Sequence, residues 1–312
     1  MRAVGVMRFG GPEVLELIEL PEVHAGPGQV RLRVHAAAVN PTDTYVRNGS
    51  RAEQQKADPP PYVAGMDAAG IIDEVGEGVS TGVAVGDRVM AIVVPRGSHG
   101  AYRESLVLPA ESVVKAPAGS SHAEACTLPM NGLTARLSLD LLGLQPGDIL
   151  AVTGAAGAYG GAVVQLAKHA GLVVVADASE ADTDLVSQLG ADLVLARGDD
   201  FAARVRAHYP DGVDALCDGS VQNGLVIGAV RDGGAFTSVR GFAGDGQRDI
   251  RFSVTLVSKY WREHEKLDEL GRLAETGVLS LRVAQTYPAE RAADAHRRLE
   301  AGGSRGRQVI EF

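Results

Sequence analysis

Residues 149–160 of the chain, ILAVTGAAGAYG, decide the fold. Residues 149–152 are a continuous apolar run, which is typical of a strand buried on both faces of a parallel sheet. Glycines follow at once, and apolar residues then recur at helical spacing. Such a turn offers backbone N–H groups and the positive end of a helix dipole to a diphosphate. The pattern predicts a dinucleotide-binding loop, with a purely structural turn as the alternative, made of Gly154, Ala155, Ala156, Gly157, Ala158, Tyr159 and Gly160.

The segments around this loop repeat the alternation of strands and helices. Further short apolar runs occur at residues 172–176, 193–195, 213–216 and 235–239, and helical patterns occur near 182–189 and 201–207. Strands that alternate with helices form βαβ units and an open parallel sheet. The sequence therefore predicts an α/β fold with a Rossmann, doubly wound parallel sheet at residues 120–258.

The regions on either side have a different pattern. At residues 30–36 apolar and polar residues alternate, and glycine turns then separate several short apolar segments. This arrangement predicts a β-sandwich or barrel for residues 1–119. Residues 259–312 contain two amphipathic helical patterns and a closing strand, and we assign them to the same domain. Residues 51–61 are polar and lack periodicity, which indicates a surface loop and a candidate lid for the active site.

Composition and charge restrict the kinds of partner. The 312 residues carry a formal net charge of -9, whereas binding to nucleic acid or anionic membranes needs clustered Lys and Arg. No apolar run is long enough to span a bilayer, and the first residues lack the apolar core of a secretory signal. Cys126 and Cys217, the only two cysteines, are typical of reduced core residues. These features predict a soluble cytoplasmic protein whose partner is a small molecule.

Charged residues after the predicted second and third strands bear on the choice of dinucleotide. Asp177 lies 20 residues after Gly157, where an acidic residue meets the adenosine ribose. A carboxylate there repels a 2′-phosphate and favours NADH. Ser179 suits either dinucleotide, whereas Arg197 can pair with a 2′-phosphate and favours NADPH, unless it is simply an exposed side chain. The two charges make opposed predictions.

Several further motifs occur in the order of one family. They are NPTDTYVRNG at residues 40–49, PYVAGMDAAG at 61–70, GDRV at 86–89, GLTA at 132–135, LGAD at 189–192 and GR at 306–307. With the glycine turn, they make the chain similar over essentially its whole length to the zinc-independent quinone oxidoreductase branch of the medium-chain dehydrogenase/reductase superfamily. The resemblance implies a GroES-like β-barrel domain into which the Rossmann domain is inserted, a cleft between them as the active site, NADPH by family precedent, and a homodimer.

The resemblance also bears on metal binding. Zinc-dependent relatives carry Gly-His-Glu and a cysteine where this chain has Gly-Met-Asp at 65–67 and Pro-Thr-Asp at 41–43. A structural zinc lobe needs four cysteines, and a catalytic zinc needs about three protein ligands. We therefore expect no zinc. The chain also departs from NADPH-using relatives, because Asp182 stands where they often have Lys and Arg197 where they often have Tyr.

The resemblance assigns roles to individual residues. Tyr45 is the candidate hydrogen-bond donor to the substrate oxygen, with a packing role as the alternative. Asn40 is expected to orient the nicotinamide, the ribose or the substrate, and Asp43 has either a catalytic or a capping role. The resemblance further places these residues at the cofactor: Thr134, Val239, Arg240, Gly241 and Arg307.

The expected reaction is metal-free transfer of a hydride from NADH or NADPH to a quinone or an activated alkene such as an enone. Positioning of the reactants and hydrogen bonds to the developing negative charge would supply the catalysis. A pathway-specific enoyl reductase is one alternative. A non-catalytic, crystallin-like dinucleotide-binding protein is another.

Overall fold

The computed structural model describes residues 1–55, 57–244 and 246–312, and the chain divides into two compact units. Unit 1 comprises Met1–Met130, Trp261–Thr276 and Leu281–Phe312, and unit 2 comprises Asn131–Tyr260 and Gly277–Ser280. The chain therefore builds most of unit 1, then unit 2, and returns to unit 1 at its end.

The elements before the boundary between the units are mainly strands. In chain order they are β1 (Arg2–Val6), β2 (Glu16–Glu19), β3 (Gln29–Ala38), α1 (Pro41–Asn48), α2 (Ala52–Gln55), β4 (Tyr62–Val63), β5 (Asp67–Val75), β6 (Arg88–Ile92), β7 (Ser105–Pro109), β8 (Val113–Lys115) and α3 (His122–Ala125). After the boundary, strands and α-helices alternate, except at one point where three strands follow one another without an α-helix between them. These elements are α4 (Pro129–Leu142), β9 (Ile149–Thr153), α5 (Ala158–His169), β10 (Val173–Ala178), α6 (Thr183–Gln188), β11 (Leu193–Ala196), α7 (Phe201–His208), β12 (Val213–Asp218), β13 (Val230–Ser238), β14 (Arg251–Val254), α8 (His264–Glu275), β15 (Val283–Pro288), α9 (Ala292–Glu300) and β16 (Arg307–Glu311).

Strand β3 organises unit 1. It pairs antiparallel with β16, β5 and β7, in a sheet of order β15-β16-β3-β5-β6-β8. Its buried and exposed residues alternate over most of its length, as the sequence pattern predicts. A Cβ atom on Gly70 of β5 would lie 2.0 Å from the backbone oxygen of Arg33, so only glycine fits where β3 and β5 shift register.

Unit 2 contains a six-stranded parallel sheet of order β11-β10-β9-β12-β13-β14. This order confirms the predicted doubly wound fold, whose ligands bind at the carboxyl ends of the strands where the order reverses. That point lies between β9 and β12. Apolar residues such as Ala151, Val175 and Leu216 from the central strands pack in its core. The sequence missed β14 because this edge strand is only partly buried and has no continuous apolar run.

Two details differ from the sequence prediction. Unit 2 begins at residue 131 rather than 120, because helix α3 packs on β3 and β5 and therefore belongs to unit 1. Residues 51–61 include the short helix α2, whereas a segment without regular structure was expected. Lys56 of that segment lies outside the described residues, and the role of a lid stays a prediction. In the part of the chain that is described, no helix is long and apolar enough to cross a membrane.

Candidate functional site

The glycine turn of unit 2 connects β9 to α5, and its glycines leave little room for added side chains. Gly154 has a φ of +69°, which favours glycine, and Gly157 is the N-cap of α5. A Cβ atom on Gly160 would lie 2.3 Å from the backbone oxygen of Gly154. The turn therefore carries no side chain at Gly154, Gly157 or Gly160, and it lies at the amino end of a 12-residue helix, which fits the diphosphate of a dinucleotide.

Asp177 holds this turn in place. Its side chain is 0% exposed, and its Oδ1 accepts hydrogen bonds from the amides of Gly154 at 2.6 Å and Ala155 at 3.2 Å. Burial raises the pKa of Asp177, although these amides and Arg197 oppose the shift. One carboxylate oxygen is thus used by the protein itself. The other oxygen, Oδ2, is buried as well, and the predicted contact with the ribose stays a prediction.

Arg197 follows strand β11 and lies next to that second oxygen. Its Nε is 3.5 Å from Oδ2 of Asp177, and its side chain is 45% exposed. Ser179, by contrast, donates its hydroxyl hydrogen to the buried carboxylate of Asp182. Arg197 is therefore the more accessible of the two side chains for an anion at this edge of the sheet.

The hydroxyl of Tyr159 is hydrogen-bonded within unit 2, and the predicted contact of Tyr159 with the cofactor stays a prediction. The Tyr159 hydroxyl lies 2.8 Å from Oγ of Ser138, which donates to the backbone oxygen of Thr134 at 2.9 Å. Ser138 also lies 3.1 Å from the hydroxyl of Thr255, and that hydroxyl is 2.6 Å from Thr237. The glycine turn and helix α4 are thus linked by buried hydroxyl groups. This cluster was not predicted from the sequence, because isolated Ser and Thr residues have no periodicity.

Asp218 is a second residue that the sequence analysis missed. It is fully buried at the end of β12 and accepts hydrogen bonds from Oγ1 of Thr153 at 2.7 Å and from the amides of Gln222 at 3.1 Å and Asn223 at 2.7 Å. The loop it holds lies against the glycine turn, because a Cβ atom on Gly154 would be 3.1 Å from the carbonyl carbon of Gly219. Its position directly after an apolar run matches that of Asp177 and was the available signal.

Val239, Arg240 and Gly241 follow the carboxyl end of β13, as predicted. Gly241 has a φ of +75°, and the amide of Arg240 donates to Oγ of Ser238 at 3.4 Å. These residues therefore lie at the same edge of the sheet as the glycine turn. Their contact with a nicotinamide stays a prediction.

In unit 1, Asn40 and Arg307 belong to a buried cluster around Asp67. In the side chain of Asn40, Nδ2 donates to Oδ2 of Asp67 at 2.9 Å, and Oδ1 accepts from Nη2 of Arg307 at 2.6 Å. Arg307 also bonds the backbone oxygens of Thr127 and Val39 and is 5% exposed. Burial raises the pKa of Asp67, and the positive charge of Arg307 opposes that shift. These mutual hydrogen bonds favour a structural role for Asn40 and Arg307, and their predicted contact with the cofactor stays a prediction.

Asp43 occupies the third position of helix α1 and completes its capping box with Asn40. Its buried carboxylate accepts hydrogen bonds from the amides of Asn40 at 2.8 Å and Gly65 at 3.0 Å, and from the hydroxyl of Tyr102 at 2.9 Å. This arrangement favours the capping role over the catalytic one. Tyr45, one residue beyond Thr44 on the same helix, is half-buried.

The described residues contain no group of three or more His, Cys, Asp or Glu side chains that could hold a metal ion. The absence of zinc stays a prediction.

A Rossmann sheet with a glycine turn, joined in one chain to a second unit built mainly of strands, defines the class of medium-chain dehydrogenases and reductases. Two family models match: the alcohol dehydrogenase GroES-like domain at residues 26–118 and the zinc-binding dehydrogenase at residues 189–310. Quinone oxidoreductase from Mus musculus is 30% identical over 99% of this chain and 97% of that protein. The 2-haloacrylate reductase of a Burkholderia species is 30% identical over 99% of this chain and 96% of that protein.

Solved structures of similar fold belong to the same class of proteins. A crystal structure of an NAD-dependent alcohol dehydrogenase has a TM-score of 0.87 and 32% identity, and covers 100% of both chains. Mycobacterial Rv1454c complexed with NADPH has a TM-score of 0.85 and 28% identity, again over 100% of both chains. The chain also matches 8% of the length of the pikromycin polyketide synthase component PikAII of Streptomyces venezuelae, at 31% identity. The chain belongs to the quinone oxidoreductase family of the medium-chain dehydrogenase/reductase superfamily, and it is an NAD(P)H-dependent oxidoreductase.

The Asp67 cluster generates a prediction that separates a structural from a cofactor-binding role for Arg307. Arg307→Lys keeps the charge but loses the planar fork that reaches several acceptors. We expect the free energy of unfolding to fall by about 2 kcal/mol, while the Kd for NADPH changes by less than about twofold. Denaturant unfolding and fluorescence titration measure the two quantities. Arg305→Lys, an exposed neighbour, is the control, and a much weaker Kd at unchanged stability would contradict the structural role.

Proposed function

We propose that the protein is a zinc-independent reductase that uses NADPH in preference to NADH and reduces a quinone or an activated alkene. The observation that carries the proposal is the glycine turn, where a Cβ atom at Gly160 would lie 2.3 Å from the oxygen of Gly154. This packing places the amino end of α5 at the turn, where the first-turn amides and the helix dipole favour an anionic diphosphate. A homodimer in the cytoplasm is part of the proposal by family resemblance, and light scattering measures the oligomeric state.

The bound dinucleotide supplies a hydride, and the protein binds and orients the reactants. Amide hydrogens in the first turn of α5, at Ala158, Tyr159 and Gly160, hold the diphosphate. Thr134 and the segment 239–241 hold the nicotinamide end, as in the family. The hydroxyl cluster around Ser138 supports both regions, because it links Tyr159 of the turn to the backbone of Thr134.

Preference for NADPH follows from the positions of Asp177 and Arg197. An acidic residue selects NADH when its carboxylate is free to meet the ribose hydroxyls. Asp177 is buried and its Oδ1 bonds two amides of the turn, whereas Arg197 is half-exposed beside it. A guanidinium pairs well with a phosphate. The relative solved with NADPH supports this preference, although another is described as NAD-dependent.

The acceptor is proposed from the chemistry that the relatives share. Quinones and haloacrylates are both electron-poor conjugated systems, and addition of a hydride places negative charge on an oxygen. The hydroxyl of Tyr45 donates a hydrogen bond to that oxygen. Its helix begins at the capping box of Asn40 and Asp43, which fixes the first turn of the helix.

A pathway-specific enoyl reductase is the second candidate, and the match to a segment of PikAII favours it. A panel of quinones and enones, followed by loss of the reduced-cofactor absorbance, separates the two candidates. Broad turnover supports the first, whereas turnover of a single enone or thioester-linked enoyl group supports the second.

Arg197→Gln tests the proposed choice of cofactor. We expect the Kd for NADPH to rise about tenfold, because one charge-assisted hydrogen bond is lost, and the Kd for NADH to stay within about twofold. Titrations of both dinucleotides, side by side, provide the measurement. Arg231→Gln is the matched control, since Arg231 is 47% exposed and pairs with one carboxylate, that of Asp214, at 2.7 Å. Equal losses for both dinucleotides would reject the proposed role of Arg197.

Tyr45→Phe tests the proposed hydrogen-bond donor. Hydride addition to a quinone is already favourable, so one lost hydrogen bond should lower kcat moderately, by about three- to tenfold. The KM for the acceptor should change little. Steady-state kinetics with one quinone and one enone supply the numbers. Complete loss of turnover would show that Tyr45 has a more demanding role.

Removal of metal tests the zinc-independent reaction. The chain has two cysteines in all, and it has Pro-Thr-Asp at 41–43 and Gly-Met-Asp at 65–67 where zinc-dependent relatives carry a cysteine and Gly-His-Glu. We therefore expect prolonged treatment with a chelator to leave kcat unchanged and the protein to contain no stoichiometric zinc. Elemental analysis and kinetics before and after dialysis are the measurements. Activity that is lost and then restored by added zinc would overturn this part of the proposal.

A further inference from the structure

A line of buried polar side chains in unit 1 joins helix α9 to helix α1. The hydroxyl of Tyr102 lies 2.9 Å from Oδ2 of Asp43 and 3.2 Å from Nε2 of His296. The other ring nitrogen of His296, Nδ1, lies 3.2 Å from Nη1 of Arg47, and Nη2 of Arg47 donates to Glu300 at 2.6 Å. The side chains of Asp43, Tyr102, His296 and Arg47 are all buried. The proposed reaction uses none of the last three.

The direction of this hydrogen-bond chain is fixed by its donors. Arg47 has only N–H donors, so Nδ1 of His296 must accept, and the ring hydrogen is therefore on Nε2. Nε2 then donates to the oxygen of Tyr102, which leaves the Tyr102 hydroxyl hydrogen for Asp43. These three hydrogen-bond partners of the Asp43 carboxylate are consequently all donors: the backbone amides of Asn40 and Gly65, and the Tyr102 hydroxyl.

We propose that His296, Tyr102 and Asp43 are positioning residues that fix the first turn of helix α1 and thereby the orientation of Tyr45. The inference rests on the proposed function, in which Tyr45 donates to the substrate oxygen. Asp43, the third residue of α1, is the last acceptor of this series of hydrogen bonds. Its carboxylate also accepts from the backbone amide of the N-cap residue, Asn40. Tyr45 follows two residues later, so a change in the capping geometry is passed to it through half a turn of helix.

The charged groups around Asp43 make the capping sensitive to pH. Asp67 on β5 faces it with a like charge, Arg307 on β16 lies beside Asp67, and Arg47 is one turn further along α1. Burial is the largest cause that raises the pKa of Asp43, to about 6, and the hydrogen bonds from Asn40, Tyr102 and Gly65 oppose it. Burial also lowers the pKa of His296, to about 3, so the ring stays neutral at working pH. Protonation turns one oxygen of the Asp43 carboxylate from a hydrogen-bond acceptor into an O–H donor. That oxygen would then face donors, and the capping of α1 would weaken.

Tyr102→Phe tests the inference because it removes only the hydroxyl that joins His296 to Asp43. We expect kcat to fall about fivefold, with the Kd for NADPH unchanged. Tyr287→Phe is the matched control: this tyrosine is also buried in unit 1, and its hydroxyl bonds Gln285 at 2.9 Å, away from α1. His296→Gln, whose amide can both accept and donate, should retain more activity than His296→Leu.

The pH profile of kcat gives a readout that a purely structural role would not move. The Tyr102 hydroxyl stabilises the ionised form of Asp43, so its removal raises the pKa of that carboxyl. The acid limb of the profile, expected near pH 6 in the unmodified protein, should therefore move upward by about one unit in Tyr102→Phe. It should stay in place in Tyr287→Phe.

A double variant separates failure of this inference from failure of the proposed function. In the Tyr45→Phe background, Tyr102→Phe should lower kcat no further, because both substitutions act through the same hydroxyl. If Tyr45→Phe lowers kcat and Tyr102→Phe behaves like Tyr287→Phe, the positioning role is wrong and the role of Tyr45 stands. If Tyr45→Phe has no effect, the proposed donor is wrong and the inference falls with it. Additive losses would also overturn the inference.

Discussion

Buried carboxylates that accept backbone amide hydrogens hold the loops of both units. Asp43, Asp67, Asp177 and Asp218 are each fully buried, and each accepts at least one backbone N–H group. A carboxylate in the protein interior without donors costs several kcal/mol. The chain near each aspartate must therefore adopt the conformation that brings amides to it. The glycine turn, the loop after β12 and the first turn of α1 are fixed in this way, and the candidate residues of the glycine turn, together with Asn40 and Asp43, lie in these segments.

The same constraint explains why individual residues were harder to assign than the fold. An acidic residue at the end of a parallel strand is placed correctly by its spacing, as Asp177 was. Spacing does not reveal whether the carboxylate turns outward to a ligand or inward to a loop. Asn40, Asp43 and Arg307 pose the same problem, because a buried polar network and a binding site use the same residue types. Only the partners of each atom distinguish the two.

Elements with strong periodicity were predictable, and those whose stability comes from tertiary contacts were not. Continuous apolar runs identified β9, β10 and β12, since strands buried on both faces have no polar side. Strand β14 lies at a sheet edge and carries no such run, so it was missed. The hydroxyl cluster around Ser138 joins residues more than 100 positions apart, such as Ser138 and Thr255. Single Ser and Thr residues in apolar segments give no local sign of such pairing.

The position of Asp177 also bears on how strong a preference for NADPH can be. An exposed aspartate would repel a 2′-phosphate directly, whereas this one is buried, tied to two amides and accompanied by Arg197 at 3.5 Å. The guanidinium has five N–H donors, and its contact with Asp177 uses Nε. Arg197 can therefore face the carboxylate and a phosphate at the same time. Because the negative charge of Asp177 stays nearby, the preference for NADPH that we propose is a moderate one that still admits NADH.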